Sequence, residues 1–339
     1  MSGSIGLVYN EPTASLYNTL GEGEAVAGVL ESVAAVGEAL ESLGYDVVEV
    51  PLRPPLATAR ARLRRLRVDL IFNLFEGFGM PPESEADLAA IIEQAGIPFT
   101  GSPSLALLLC QDKSMAKYRL RLCGIPTPEW QVMTPEALDA SAVCYPCIVK
   151  PIGEHASHGI SERSVVSNRG ALERQVRSVH AAYARPSLVE QFLPGREFCA
   201  LVVGNGCAEV FPVEEIVYDL PPDSPRILTY AAKWLSGDAY CRGTMPVCPA
   251  RVEAVLEQRI RELALGSFYA LGCRGYARVD MRQDEDGVLK VVDVNPNPDI
   301  SPRAGAMLQV AAAGMDYAAF ISRVVSLAIE RFSHLAPVQ

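Results

Sequence analysis

Between residues 5 and 100, short apolar runs alternate with longer stretches of helical periodicity. That alternation restricts the first third of the chain to very few architectures. Segments 5–9, 46–50 and 70–74 are strand-length and rich in Val, Ile, Leu and Phe, while 26–43, 57–66 and 83–94 repeat apolar residues at helical spacing. A strand–helix–strand succession implies parallel strands joined by helical crossovers, so an α/β layer with a mostly parallel sheet is expected. Ligand groups in such sheets come from loops at the carboxyl ends of the strands. Here those loops carry Asn10 and Glu11, the stretch 73–76 ending in Glu76, and Gly101 with Ser102.

From residue 104 the pattern changes. One helix carrying Lys113 and Lys117 is expected to run to residue 123, where the Gly- and Pro-containing stretch 124–128 breaks it. A strand at 144–150, a loop of small residues at 151–159 and a strand at 160–166 come next. Strand, small-residue loop and strand make a flap whose backbone N–H groups, bared by Gly153, Ala156, Ser157 and Gly159, can fold over phosphates. No Gly-Lys-Ser/Thr opens a helix, so this is not a Walker loop. Segment 188–197 leads into a buried strand at 198–203. Its acid and backbone groups suit a purine, with Glu197 near a ribose. Residues 221–245, rich in Pro, Asp, Ser and Gly, read as a long functional loop that contains Lys233. Helices at 251–271 and 309–332 complete the reading.

Residues 275–282 and 289–295 form two strand-like runs joined by a polar turn. Alternate residues of a strand point the same way, so Arg278, Asp280, Asp293 and Asn295 are expected on one face. Three oxygen donors beside an arginine suit a hard cation that carries phosphates. Mg²⁺ takes oxygen ligands and is usually held by one or two carboxylates plus phosphate oxygens.

The formal net charge of −10 argues against a nucleic-acid partner, which calls for a basic face. The basic run 60–67 reads as the solvated side of a helix. No apolar stretch reaches membrane-spanning length and no charged segment precedes residues 5–9, so a cytoplasmic protein is expected. Nine cysteines among apolar neighbours fit reduced core thiols, Cys144 and Cys147 included. His155 and His158 have no second ligand pair near them, which disfavours zinc. Only five of the 30 basic residues are lysine, namely Lys113, Lys117, Lys150, Lys233 and Lys290. A lysine that persists where arginine is otherwise preferred marks a place for a compact, flexible ammonium.

Taken in order, Lys113 in Gln-Asp-Lys, Lys150 in Ile-Val-Lys-Pro, the 154–159 loop, Glu190 to Leu193, Glu197, Lys233 in Ala-Lys-Trp, and Arg278, Asp280, Asp293 and Asn295 resemble the ATP-grasp ligases. Within them the chain looks most like the D-alanine–D-alanine ligase branch, which Thr100-Gly-Ser102 and Cys248-Pro-Ala250 also resemble. The resemblance implies an ATP-grasp fold, α+β in its ATP-binding part, with ATP between the last two of three units: 1–103, 104–188 and 189–339. It implies that Lys113 and Lys150 hold ATP phosphates and that Glu154, Ser157 and their neighbours cover them. Glu190 with Gln191, Phe192 and Leu193 would bind adenine, and Glu197 the ribose. Lys233 would reach the γ-phosphate from a mobile loop, and Arg278 would steady the intermediate, so Arg278, Lys233 and Ser157 form the catalytic set. Asp280, Asp293 and Asn295 would ligate two Mg²⁺, or Mn²⁺ in their place. A homodimer is common in the family.

The substrate end departs from that pattern. Tyr9-Asn-Glu-Pro12 stands where the family has Gly-Gly-x-Ser-x-Glu, with Glu22 and Glu24 near the expected acid. Asp299 replaces a glycine whose N–H serves the intermediate, and Arg303 offers a bidentate contact to a substrate carboxylate or stands as a surface residue. Glu24, Glu76, Asp299 and Arg303 are therefore the substrate candidates. The resulting expectation is an ATP-dependent ligase joining a small carboxylate and a small amine through an acyl phosphate, with substrates other than those of wall synthesis. Ligation of two D-alanines, imine formation of the mycosporine type, and a nucleotide-binding regulatory module without turnover are the alternatives.

Overall fold

The computed structural model describes residues 3–12, 28–79, 83–140, 142–154 and 156–333. Strands β1 (Ser4–Asn10), β2 (Asp46–Leu52) and β3 (Leu70–Asn73) form a parallel sheet in the order β2-β1-β3, and Phe99 bridges Ile71 at its edge. Helices α1 (Val29–Ser42), α2 (Leu56–Arg65) and α3 (Ser84–Ala95) supply the crossovers. Gly96 ends α3 in the left-handed region at φ 70°, which glycine enters without steric cost.

The helix expected at 104–123 is two: α4 (Ser104–Gln111) and α5 (Lys113–Leu122). Asp112 divides them, because its backbone is extended and its carboxylate accepts from the N–H groups of Ser114 and Met115, starting a new helix. A second, antiparallel sheet follows in the order β4 (Trp130–Met133), β7 (Ser187–Gln191), β5 (Cys147–Pro151), β6 (Val165–Val166), backed by α6 (Arg169–Tyr183). The strand expected at 160–166 is only the two residues of β6. Ser161 and Ser164 bond reciprocally and fold residues 162–164 into a 3₁₀ turn instead.

The third sheet has the antiparallel order β11 (Thr244–Val247), β10 (Glu214–Tyr218), β8 (Glu197–Gly204), β12 (Gly275–Gln283), β13 (Leu289–Asn295), with β9 (Glu209–Val210) paired to β8. Within the loop expected at 221–245, two short helices form, α7 (Tyr230–Trp234) and α8 (Ala239–Arg242). Helix α9 (Ala254–Ala270) packs on this sheet. The closing helix divides into α10 (Gly305–Ala312) and α11 (Tyr317–Ser333), with Gly314 at φ 76° in the joint.

Packing does not follow the expected boundaries. The position between 188 and 189 falls inside β7, and Cys110, Ala116 and Leu120 of α4 and α5 belong to the core of the third sheet. The N-terminal core, in turn, unites Leu7 and Val36 with Leu201, Tyr276, Phe320 and Val324. The second sheet keeps a core of its own around Val149, Leu172, Val176 and Val189. No single helix among the described residues is long and apolar enough to cross a membrane.

Candidate active site

The pairing of β12 with β13 builds the floor of a cleft between the second and third sheets. Arg278 lies opposite Asn295 and Asp280 opposite Asp293, so the four expected side chains share one face. Like charges directly opposed across strands repel. Arg278 answers by forking across Asp280, Nε to Oδ1 at 2.7 Å and Nη2 to Oδ2 at 2.8 Å, while Lys113 Nζ stands 3.6 Å from Asp293 Oδ2. Burial pulls the Arg278 pKa down, and Asp280 more than offsets it, keeping the guanidinium firmly charged. A bulge between Asp280 and Met281 re-aims the strand.

Glu190 departs from expectation. It is 1% exposed and lies between Lys117 Nζ, 2.9 Å away, and Lys150 Nζ. Its carboxylate is engaged by two lysines, while Gln191, Phe192 and Leu193 line the cleft wall beside it. Burial pushes the Glu190 pKa up, but the two lysines outweigh it and hold the carboxyl below its usual range. Lys117 is 2% exposed and also donates to the Val292 carbonyl (3.1 Å) and to Thr127 Oγ1 (3.2 Å). The sequence reading assigned Lys117 no role. Its signal was the spacing of four from Lys113, which puts both ammoniums on one face of α5.

Glu197 accepts from the Tyr218 hydroxyl (2.5 Å) and pairs with Arg282 at 3.1 Å. Arg282 lies over the Phe192 ring at 5.5 Å, and Lys290 donates to Gln191 Oε1 at 3.1 Å. Arg282 is thus a further, unforeseen member of the cleft, and Tyr218 holds Glu197 in place there.

Opposite the floor lies the small-residue loop. Ala156 (φ 54°) and Ser157 (φ 62°) adopt left-handed backbone, as does Gly159 (φ 71°), a conformation that turns successive N–H groups toward one concavity. Lys113 Nζ donates to the Glu154 carbonyl (2.7 Å). The Ser157 hydroxyl is engaged with the Leu228 carbonyl (2.8 Å), and Trp234 Nε1 donates to the Ala156 carbonyl (3.2 Å). The loop is therefore fastened to the segment that carries Lys233. Lys233 lines the same cleft, where burial and the Arg278 charge push its pKa down.

Among the described residues no three His, Cys, Asp or Glu side chains gather as a metal cage. Two facing carboxylates and the Asn295 amide instead make a donor set suited to a hard cation that completes its shell with phosphate oxygens. Glu214 on β10 was also unforeseen. It is buried, desolvation pushes its pKa up to about 7 against the opposing charge of Arg278, and Gly305 approaches so closely that a Cβ there would lie 2.7 Å from its Oε2.

The substrate candidates do not all converge. Glu24 lies outside the described residues. Arg303 is an exposed surface residue engaged bidentately with Glu31 (3.1 and 3.0 Å), so its guanidinium is not presented to a buried carboxylate. Asp299 accepts from Ser32 Oγ (3.1 Å) and from the Ser301 N–H (2.7 Å), which brings it between α1 and the end of β13. Glu76 follows β3, and the charges of Asp299 and Glu85 act on it.

A family model described as the D-ala D-ala ligase C-terminus matches residues 120–326. A D-alanine–D-alanine ligase of Gluconobacter oxydans is 30% identical over 305 residues, covering 89% of this chain and 94% of that protein. The uncharacterized protein y4sG of Sinorhizobium fredii is 32% identical over 263 residues, 78% of this chain and 75% of that one. Among solved structures, the ATP complex of the Bacillus anthracis D-alanine–D-alanine ligase superposes with TM-score 0.76 at 20% identity, covering 99% of this chain and all of the other. The D-Ala:D-Ser ligase VanG of Enterococcus faecalis superposes with TM-score 0.73, covering 97% and 100%. With a family model over more than half of its length and relatives of 30% identity over most of it, the chain belongs to the D-alanine–D-alanine ligase family, the ATP-dependent, carbon–nitrogen bond-forming ligases of ATP-grasp fold.

Proposed function

We propose that the cleft binds ATP with two Mg²⁺ and activates the carboxylate of a small molecule, which a small amine then captures as an amide. The observation that carries this reading is the face on which Asp280 and Asp293 oppose one another beside Arg278 and Lys113. Asp280, Asp293 and Asn295 would hold the metal, which supplies neutralisation of the phosphate oxygens. Lys150 meets the phosphates from the second sheet and Lys113 from the start of α5, and the loop 156–159, with Ala156, Ser157 and Gly159 in left-handed backbone, covers them. Lys233, whose pKa is depressed, gains its missing counter-charge when a γ-phosphate arrives. Bringing a carboxylate to a triphosphate gathers negative charge, so catalysis rests on positioning and neutralisation. Arg278 is aimed at the oxyanion that develops on the attacked carbonyl.

The substrates are read as other than two D-alanines. Arg303 is occupied by Glu31, and Asp299 adds a carboxylate just past β13, held by Ser32 and Ser301. Ligation of D-alanine to D-alanine is the second reading, favoured by the relatives of that name. A screen of ADP release over amino acids and small acids, with hydroxylamine as trapping nucleophile and mass detection, tests both. Hydroxamate is the expected product of the right acid. ADP release without hydroxamate would sink the acyl phosphate and point to an activated enol oxygen, and dependence on D-alanine alone would establish the second reading.

A further inference from the structure

Where the carboxyl ends of the parallel strands meet the end of β13, three carboxylates gather without a cation to answer them. Glu76 follows β3, Glu85 opens α3 and is buried, and Asp299 lies just past β13. Asn297 ties this group to the catalytic face: its N–H donates to Asn295 Oδ1 (2.9 Å), and its Nδ2 donates to Glu85 Oε1 (2.8 Å) and to the Phe75 carbonyl (3.2 Å). Among the described residues these acids make no ion pair, since Asp299 is held only by Ser32 and Ser301.

Tyr276 is the second, independent observation. Its side chain is fully buried, its hydroxyl has no hydrogen-bond partner among the described residues, and besides burial the groups acting on that hydroxyl are Tyr317 first and then Glu76, Glu85 and Asp299. A buried phenol left unpaired costs free energy that folding alone would remove by placing Phe there. Clustered carboxylates are likewise costly when nothing charged lies between them. Burial and the neighbouring acids raise the Glu76 pKa toward about 8, a shift tempered by the water that reaches this exposed side chain. Burial raises Glu85 to about 7. The arrangement is unfavourable while empty and complementary to a positive guest.

We propose that Glu76, Glu85, Asp299 and the Tyr276 hydroxyl form a subsite for an alkylammonium group of the substrate, which makes a diamine or other carboxylate-free amine the fitting chemical class. The inference rests on the ligase reading of the adjoining cleft, and deepens it by naming the substrate's charge. An α-amino acid seated with its ammonium here would bring its own carboxylate against the same acids. A diamine brings only positive charge.

The test uses the full chain with Mg²⁺ and a non-hydrolysable ATP analogue, titrated calorimetrically with 1,4-diaminobutane and with the uncharged 1,4-butanediol. The diamine is expected to bind and the diol to give no heat. Glu85→Gln and Asp299→Asn should each weaken diamine binding about ten-fold or more, as loss of one buried charge partner does. Tyr276→Phe should weaken it about ten-fold, the loss of one hydrogen bond to a charged group. The affinity for the ATP analogue should be unchanged in all three, showing that the fold persists. Equal behaviour of diamine and diol, or diamine binding untouched in both acid variants, overturns the subsite. Failure here leaves the ligase reading standing if hydroxamate still forms, whereas diamine binding without ADP release from any acid would sink the ligase reading alone.

Discussion

Half-buried Arg278 and fully buried Glu190 are both charges in ion pairs, yet their removal should be felt in different measurements. Arg278 lines the cleft as the proposed stabiliser of the attacked group, and taking away one preorganised stabiliser of developing charge typically costs ~10²- to 10³-fold in turnover. Arg278→Ala is expected to lose about that much in steady-state ADP release while a non-hydrolysable ATP analogue still binds. Glu190 is the counter-ion of Lys117 and Lys150. Glu190→Gln leaves Lys117 buried and unanswered, and breaking such a pair costs ~3–5 kcal/mol in denaturant unfolding. Because its folded-state pKa lies below the ordinary value, the Glu190 contribution is present above pH 4.5 and lost as pH falls through the folded pKa. The deficit of the variant should therefore shrink in acid. The lysines themselves were legible from their scarcity, but the choice of Glu190 as their partner was not. Register across β5 and β7, which sets Ile148 against Glu190 and so puts Lys150 two residues along, is a tertiary fact.

At the scale of elements, periodicity located the parallel strands and their crossovers to within a few residues, because one-sided burial writes itself into the chain. Breaks inside helical runs were not legible in that way. Asp112 is an acceptable helix residue whose carboxylate happens to cap its own successor, and Gly314 is tolerated in a helix until packing demands the left-handed turn. The small-residue loop at 151–159 was visible in the sequence, although the 3₁₀ turn after it was not. In that loop Gly159 combines φ 71° with crowding: a Cβ would stand 2.7 Å from Pro151 Cγ and 2.9 Å from Tyr183 Cε2. Gly159→Ala is expected to displace the loop, at a backbone cost of ~1–3 kcal/mol, and to weaken ATP-analogue binding about ten-fold in a calorimetric titration.

For the whole molecule, the cores decide which parts unfold together. Phe320 of α11 packs against Tyr276 of β12, ring centroids 6.3 Å apart, within a core that also contains Leu7 and Val36 of the first layer. Phe320→Ala should cost ~3–5 kcal/mol and lower the stability of the first and third sheets in one transition, measured by circular dichroism in urea. Loss confined to one of the two would contradict the shared core. The sequence pointed to three units because linkers and patterning are local, while a core shared between Leu7 near one end and Val324 near the other is not.

That shared core also has a mechanical meaning. The first and third sheets are welded along α1, β12 and α11, whereas the second sheet is filled by its own side chains around Val149 and Val189. A clamp made in this way has one fixed jaw and one that can swing as a rigid piece. The nucleotide side of the cleft belongs to both jaws, but the acids at the end of β13 belong to the fixed jaw alone. On the proposed reading a substrate amine held there would keep its place while the second sheet swings, so the order in which ligands come and go would be set by the way the chain is packed.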